Sequence, residues 1–175
     1  MAALVWSQDL ELDHSAMDET HKEFVDLLNA VAAAEDAQLA ALWQELIEHT
    51  EGHFGQEDRW MQATGFAPEN CHSTQHRVVL EIMREGGKKA ADGDFTMIRG
   101  MTPELADWFS YHAKTMDAAL AQHMQSLGFD TATGVVAHDE ALPQDLISGC
   151  GGACSAPQDH HQHAAQADKV AQAAY

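Results

Sequence analysis

The sequence predicts an all-α fold: an antiparallel up-down-up-down four-helix bundle with an N-terminal arm and a poorly structured C-terminal tail. Three observations predict it. As far as about residue 130 the chain is dense in alanine, leucine, glutamate and methionine, its apolar residues recur three and four apart, and beyond that point the period is lost. Short connections between four such segments favour antiparallel neighbours that bury their apolar stripes against one another. No strand pattern competes. The chain therefore divides into a bundle, residues 1–130, and a Cys- and His-containing low-complexity tail, residues 131–175.

The elements follow in order. Trp6 to Met17 alternates acidic and apolar residues and is expected as an extended arm packed on the bundle. A first helix is predicted from about Asp18 to Ala34, with Phe24, Leu27, Leu28 and Val31 in one stripe. A second is predicted from about Asp36 to Thr64, carrying Leu39, Trp43, Leu46, His53, Glu57, Trp60 and Met61, with Gly65 and Pro68 stopping it. A third begins near Asn70, carries His72, His76, Val79 and Met83, and weakens at Gly86 and Gly87. The fourth has a start signal in Thr102 as cap and Pro103 as first helical residue, then an inner face of Leu105, Trp108, Phe109, His112, Met116 and Leu120. From about Thr131 the chain turns to Ala, Gln, His, Gly and Asp, with little to bury.

Charge excludes several partners. With 28 acidic residues against 9 basic ones, the formal charge of -19 repels nucleic acid and anionic membranes. No apolar run approaches the roughly 20 residues that span a bilayer, and Met-Ala-Ala-Leu-Val-Trp has neither a basic n-region nor a cleavable apolar stretch, so no secretory leader is expected. Three cysteines do not make a disulfide framework, so a cytoplasmic protein is expected. The unusual figure is 12 histidines, more than all lysines and arginines together, and histidine is the commonest ligand for transition metals.

Every predicted helix carries histidine among its apolar residues, and three carry a second potential ligand about one turn away. His53 and Glu57 are four apart, as are His72 and His76, which puts each pair about 40° apart around the axis and roughly 6 Å apart along it. His21 lies in the first turn of the first helix, and His112 is followed by Asp117. A lone histidine on an apolar face is ordinarily a core residue satisfied by a carbonyl, and one HxxxE pair is a weak signal. Five histidines and two carboxylates converging from four helices are different, because their joint desolvation would cost several kcal/mol that metal bonds can offset. One spacing departs from a regular helix: five residues from His112 to Asp117 advance about 500°, about 140° beyond one turn. A π-type turn near Thr115, aligning i with i+5, would bring the two side chains together.

At these residues the sequence resembles the bacterial hemerythrin family, with His21 in Asp18-Glu19-Thr20-His21-Lys22-Glu23-Phe24, His53 to Glu57, His72 to His76, and His112 to Asp117. The resemblance runs from residue 4 to about 128, with Trp6 and Trp108 also at family-like positions. It implies two non-haem iron ions, cycling between Fe(II) and Fe(III), bridged by Glu57, Asp117 and an oxo or hydroxo group. Five histidines cannot divide equally between two irons. By similarity, His72, His76 and His112 belong to a coordinatively closed iron, and His21 and His53 to one with an open position for dioxygen. Five neutral imidazoles among seven ligands favour resting Fe(II) and reversible binding over the oxidation chemistry of carboxylate-rich sites. Trp108 and Phe109, with Leu27, Leu28 and Trp60, are candidates for an apolar pocket that excludes water.

The function expected is dioxygen storage, or delivery to an oxygen-consuming enzyme, by a monomer that is not itself an enzyme. The alternatives are an oxygen or redox sensor and a diiron peroxidase or nitric-oxide-handling protein using the same centre. His49, one turn before His53 where relatives commonly have tyrosine, is expected as an exposed or stacking residue; His14, His123 and His138 as ordinary; Asp58 as pointing away from the site; and Cys71 as a small buried filler. In the tail, Cys150 and Cys154 followed by His160, His161 and His163 suit a soft metal or a reversible disulfide, although the spacing matches no established motif.

Overall fold

The computed structural model describes residues 2–149. Three arms of the bundle are α1 (Ser15–Ala33), α2 (Asp36–Ala63) and α3 (Cys71–Ala91). The fourth is a continuous run of α4 (Thr96–His112), a π-helical turn (Ala113–Asp117) and α5 (Ala118–Ser126). Neighbouring arms close a square, α1 on α2, α2 on α3, α3 on α4 and α4 on α1. This is the predicted bundle, and the π turn falls where the His112 to Asp117 spacing requires it.

The stripes bury as their period dictates. Leu28, Leu39, Trp43, Leu46, Val79, Met83, Ile98 and Leu105 have no exposed surface, and burying each side chain of this kind stabilises the fold by about 1.5–3 kcal/mol. Among the described residues no helix is long and apolar enough to cross a membrane.

The N-terminal arm packs on the bundle as expected. Asn29 clamps it by accepting from the N–H groups of Ala3 and Leu4 and donating to the Leu4 carbonyl. Asp18 accepts from Leu12 and His14, so it pins the arm rather than starting the helix. The start moves back to Ser15, where the His14 side chain accepts from the Met17 N–H.

Two other boundaries differ from the sequence reading. The fourth arm starts at Thr96, not at Thr102 and Pro103; Pro103 lies inside α4, and the Thr102 hydroxyl donates to the Ile98 carbonyl at 2.7 Å. Burial of Met97, Ile98 and Met101 extends the inner face a full turn and more ahead of the Thr-Pro pair, and overrides it. Arg99, in that added segment, ties the arm to the α1–α2 corner through the Ala34 carbonyl and Asp36.

Likewise α3 continues through Gly86 and Gly87 to Ala91. A Cβ on Gly86 would sit 3.5 Å from the Trp43 indole nitrogen, and one on Gly87 3.3 Å from Ile47. The first is an ordinary contact and the second a tight one, so it is Gly87 that helps α3 approach α2, where Trp43 Nε1 donates to the Met83 carbonyl at 2.9 Å. Packing of the two helices offsets the roughly 1 kcal/mol by which a glycine disfavours a helix relative to alanine.

Beyond residue 130, where composition predicts little to bury, the described chain has definite form. Strands β1 (Phe129–Asp130) and β2 (Val135–Val136) make a short antiparallel hairpin. Residues 143–149 then return as a strap over the α2–α3 corner, where Ile147 bridges to Phe66 in parallel. Cys150, Cys154, His160, His161 and His163 lie outside the described residues.

Candidate metal centre

All seven residues singled out by spacing meet in the bundle interior, each at most 5% exposed. They form two groups of ligand atoms that lie within 4.8 Å of one another: Glu57, His72, His76, His112 and Asp117 in one, and His21, His53 and Glu57 in the other. Each helix contributes for a local reason. His53 and Glu57 project from α2 at helical i,i+4 spacing, 3.0 Å apart at Nε2 and Oε1. His72 and His76 share one face of α3, while the π turn brings Asp117 Oδ1 within 3.2 Å of His112 Nε2.

The carboxylates occupy the boundary between the groups. Glu57 Oε1 lies 3.0 Å from His53 and 3.9 Å from His21, and its Oε2 lies 3.3 Å from His76 and 3.5 Å from His72. Asp117 is arranged the same way, with Oδ2 3.3 Å from His21 and Oδ1 3.0 Å from His72. Each carboxylate therefore turns one oxygen to each group.

Apart from the contacts of His53 with Glu57 and of His76 with His112, these atoms do not satisfy one another as hydrogen bonds. His21 Nε2, His72 Nε2, Glu57 Oε2 and both Asp117 oxygens are buried without a hydrogen-bond partner despite their proximity. Short distances without alignment are what arises when lone pairs aim at a shared point rather than at each other. Unpaired buried polar atoms are costly, and a cation at each such point would satisfy them. All five imidazoles offer Nε2, and an N/O donor set of this kind suits iron, zinc, copper or nickel. The residues present fit a metal pair.

Electrostatics point the same way. Burial raises the cost of ionising Glu57 and Asp117, but the surrounding imidazoles hold both carboxyls well below their usual range. Burial also opposes a charged imidazole at His21 and His72, yet Asp117 and Glu57 outweigh it and raise their pKa values to about 9 and about 10. At His112 burial, reinforced by the neighbouring His72 and His76, prevails over Asp117 and lowers the pKa to about 4.

The structure adds residues that spacing did not indicate. Asp58, read from sequence as facing away, accepts from His76 Nδ1 at 3.2 Å, and Gln75 Oε1 lies 3.3 Å from His112 Nδ1. With Nδ1 carrying the proton, Nε2 is left as the free lone pair that a metal requires. Phe54 stacks on His76 at 3.9 Å between centroids, and Trp108 stacks on His112 at 4.5 Å. The only sequence cue for Asp58, Gln75 and Phe54 is that each adjoins a candidate ligand.

On the other side, Phe109 meets His21 edge-on at 5.1 Å and stacks with Phe24, while the Nδ1 atoms of His21 and His53 have no protein partner. Leu27 and Leu28 belong to the same apolar cluster as Phe109; Trp60 belongs to a second one, with Met17, Met61 and Leu120.

His49 bonds Glu23 at 3.1 Å and meets His53 edge-on with ring centroids 6.3 Å apart, so it is neither stacked nor exposed: the ring is mostly covered. His123 is not idle: it binds the Thr64 carbonyl at 2.8 Å, tying α5 to the end of α2. Cys71 is half-buried at the start of α3.

The profile of the hemerythrin HHE cation-binding domain matches residues 13–124. A bacteriohemerythrin of Ralstonia nicotianae is 39% identical over 130 residues, covering 74% of this chain and 95% of its own. One from Pseudomonas aeruginosa is 27% identical over 144 residues, covering 77% and 92%. The myohemerythrin of Sipunculus nudus is 27% identical over 113 residues, covering 65% and 87%. No solved structure gave a significant match.

Proposed function

Since the chain belongs to the hemerythrin family, we propose that His21, His53, Glu57, His72, His76, His112 and Asp117 hold two iron ions, and that the protein binds dioxygen reversibly there. The observation that carries this reading is the placement of Glu57 and Asp117 between the histidines: Glu57 has one oxygen near His21 and His53 and the other near His72 and His76, and Asp117 has one near His21 and the other near His72 and His112. Two carboxylates so placed would each help hold both ions, with His72, His76 and His112 serving one and His21 and His53 the other, so the second ion would have fewer protein ligands. Two irons bound there would supply the electrons that hold dioxygen and take them back when it leaves.

The chain's own residues perform the remaining tasks. Asp58 and Gln75 fix the protons of His76 and His112 on Nδ1, and Phe54 and Trp108 clamp those two rings by stacking. These contacts restrict the orientation of His76 and His112. On the two-histidine side, Phe109 and Phe24 keep water from the vicinity of His21, in a setting where Leu28 is fully buried. Excluding water from that side would limit the delivery of protons there, which favours reversible binding of dioxygen over its reduction. The physiological role proposed is storage of dioxygen, or its delivery to an oxygen-consuming enzyme.

The test is to load the protein anaerobically with Fe(II), admit oxygen, then remove it while following the visible spectrum. Repeated reversible change is expected. A single irreversible oxidation would favour the sensing or peroxidase alternatives, and no spectral change would eliminate the diiron reading.

A further inference from the structure

Each of the seven candidate ligands is at most 5% exposed, so a metal ion reaches them only through an opening in the chain. A cavity of about 480 Å³ extends to one of them, His72. His72 is the second residue of α3, and its Nε2 lies 3.0 Å from Asp117 Oδ1 and 3.5 Å from Glu57 Oε2, so this one imidazole stands between the cavity and both carboxylates. Phe66, Met116, Leu120 and Ile147 give the cavity apolar walls, and Gln122 and His123 add polar groups. A water takes up about 30 Å³ in the liquid, so the space admits an ion with its first shell of water. Two other cavities, of about 600 and 210 Å³, are lined by none of the seven.

Ile147 is the wall contributed by the strap, residues 143–149, which lies beyond residue 124, where the match to the hemerythrin domain ends. Few contacts fasten it. Pro143 rests on Gly65, where a Cβ would lie 2.5 Å from the proline ring. Ile147 N donates to Gly65 O at 3.0 Å, Ala67 N to Ile147 O at 2.9 Å, and Cys71 N to Ser148 O at 3.1 Å. The Ile147 side chain packs half-buried against the cluster of Phe66 and Leu120, while Gln144, Asp145, Leu146 and Ser148 are exposed. A segment held by three main-chain bonds and two half-buried side chains opens at lower free energy than the helices under it. The last of those bonds reaches the residue before His72, so the strap seats at the turn of α3 that carries this ligand.

We propose that this cavity is the port through which divalent transition-metal ions enter and leave the centre, and that the strap is its gate, with the Ile147 side chain closing the wall beside His72. The proposal rests on the seven residues holding metal and not on what the metal then binds. His72 meets an incoming ion first, and Asp117 and Glu57 lie within reach to take it inward. The formal charge of -19 concentrates cations around the chain. The cavity opens on the three-histidine side, at His72 with His76 and His112, whereas the open position for dioxygen is assigned to the side of His21 and His53. The port therefore serves the metal rather than the gas. A gate of this kind sets how fast ions pass and leaves the affinity unchanged, because opening lowers the barrier by one factor in both directions.

The experiment uses the full chain and Co(II), whose visible absorption reports uptake after mixing and release into excess EDTA. Ile147→Ala should speed uptake and release alike, by about tenfold, with the dissociation constant unchanged, and hydrogen exchange at the Ala67, Cys71 and Ile147 amides of the metal-free chain should quicken with them. Ala119→Leu, which adds bulk to the cavity wall, should slow both rates. Leu146→Ala, next to Ile147 but 64% exposed, should match the wild type. Unchanged rates in Ile147→Ala on a chain that binds two ions would overturn the port alone. Faster release with weaker binding and unchanged uptake would overturn it too, since the strap would then be holding the ligands rather than gating them. Faster metal exchange without faster amide exchange would overturn the strap as the moving part. A chain that takes up no Co(II) would overturn the reading of the seven residues, and the port with it. Ile147 and Leu146 lie outside the bundle, so these two substitutions leave its helices intact, which circular dichroism checks.

Discussion

Metal loading should expel protons from this site, and the number can be worked from the structure. His21 and His72, with pKa values of about 9 and about 10, stand about 2 and 3 pH units above neutrality. At pH 7 both are therefore about 99% or more protonated in the metal-free chain, neutralising the charges of Glu57 and Asp117. A metal at Nε2 cannot share that atom with a proton, so binding two ions releases about two protons from these side chains. Water that ionises on coordination adds to the count, which makes two the floor. Proton competition also sets the pH dependence. Between pH 7 and 8, each unit of acidification should lower the overall binding constant for the metal pair about 100-fold, or about 2.7 kcal/mol. Release is read with a pH indicator during anaerobic Fe(II) titration in weak buffer, and affinity by competition with a chelator. Fewer than two protons at pH 7, or a slope below two protons across that interval, would refute the charge balance assigned to the cluster.

Four further outcomes are expected. Glu57→Ala or Asp117→Ala should reduce the metal content from two ions to one or none by elemental analysis, whereas His49→Ala, whose partner is Glu23, should retain two. Asp58→Ala and Gln75→Ala should each weaken metal binding about 10–100-fold, measured by chelator competition, with unchanged helicity. The metal-free protein should lose stability on both sides of neutrality in urea titrations. The depressed carboxyls of Glu57 and Asp117 contribute above about pH 4 and lose that contribution as the pH falls, while the raised His21 and His72 contribute fully below about 6.5 and lose theirs as the pH climbs through 9 to 10. Gly65→Ala should destabilise by roughly 1–3 kcal/mol, because φ is +94° and the new Cβ would lie 2.5 Å from Pro143; Gly93→Ala, at φ +85° with open space around it, should cost less.

How much of this was readable from sequence depends on whether the information was local. The convergence of the candidate ligands was legible because helical spacing converts directly into direction: His53 with Glu57 and His72 with His76 must share a face wherever their helices sit. The start of α4 was not, because Thr102-Pro103 is a sound local signal defeated by burial of Met97, Ile98 and Met101, which exists only once α4 has neighbours. Gly86 and Gly87 misled for the same reason, since α3 is held through them by packing on Trp43 and Ile47 of another helix. Asp58 follows Glu57 by one position and so leaves the inner face of α2, but it meets His76 across the α2–α3 interface. The strap has no period at all; its place is set by main-chain bonds to Gly65, Ala67 and Cys71, and main-chain groups carry no sequence signature.

The π turn shows why the local and the tertiary information agree at the centre itself. An unbroken α-helix from Thr96 onward could point His112 inward or Asp117 inward, but not both, since five regular steps leave them about 140° apart. Inserting the extra residue in the turn lets α4 and α5 keep their own faces buried, Leu105, Trp108 and Phe109 before it and Leu120 and Met124 after it. The cost is an interrupted α-helical ladder. It is reduced locally, because Ala118 N–H reaches back to the Ala113 carbonyl and the Thr115 hydroxyl donates to the Tyr111 carbonyl at 2.8 Å. What the turn gains is a carboxylate with one oxygen 3.3 Å from His21 and the other 3.0 Å from His72. Packing alone would be served equally well by a helix one residue shorter that remained α-helical throughout. The irregularity is therefore explained by the position of Asp117 between the two groups of histidines, and not by the core around it.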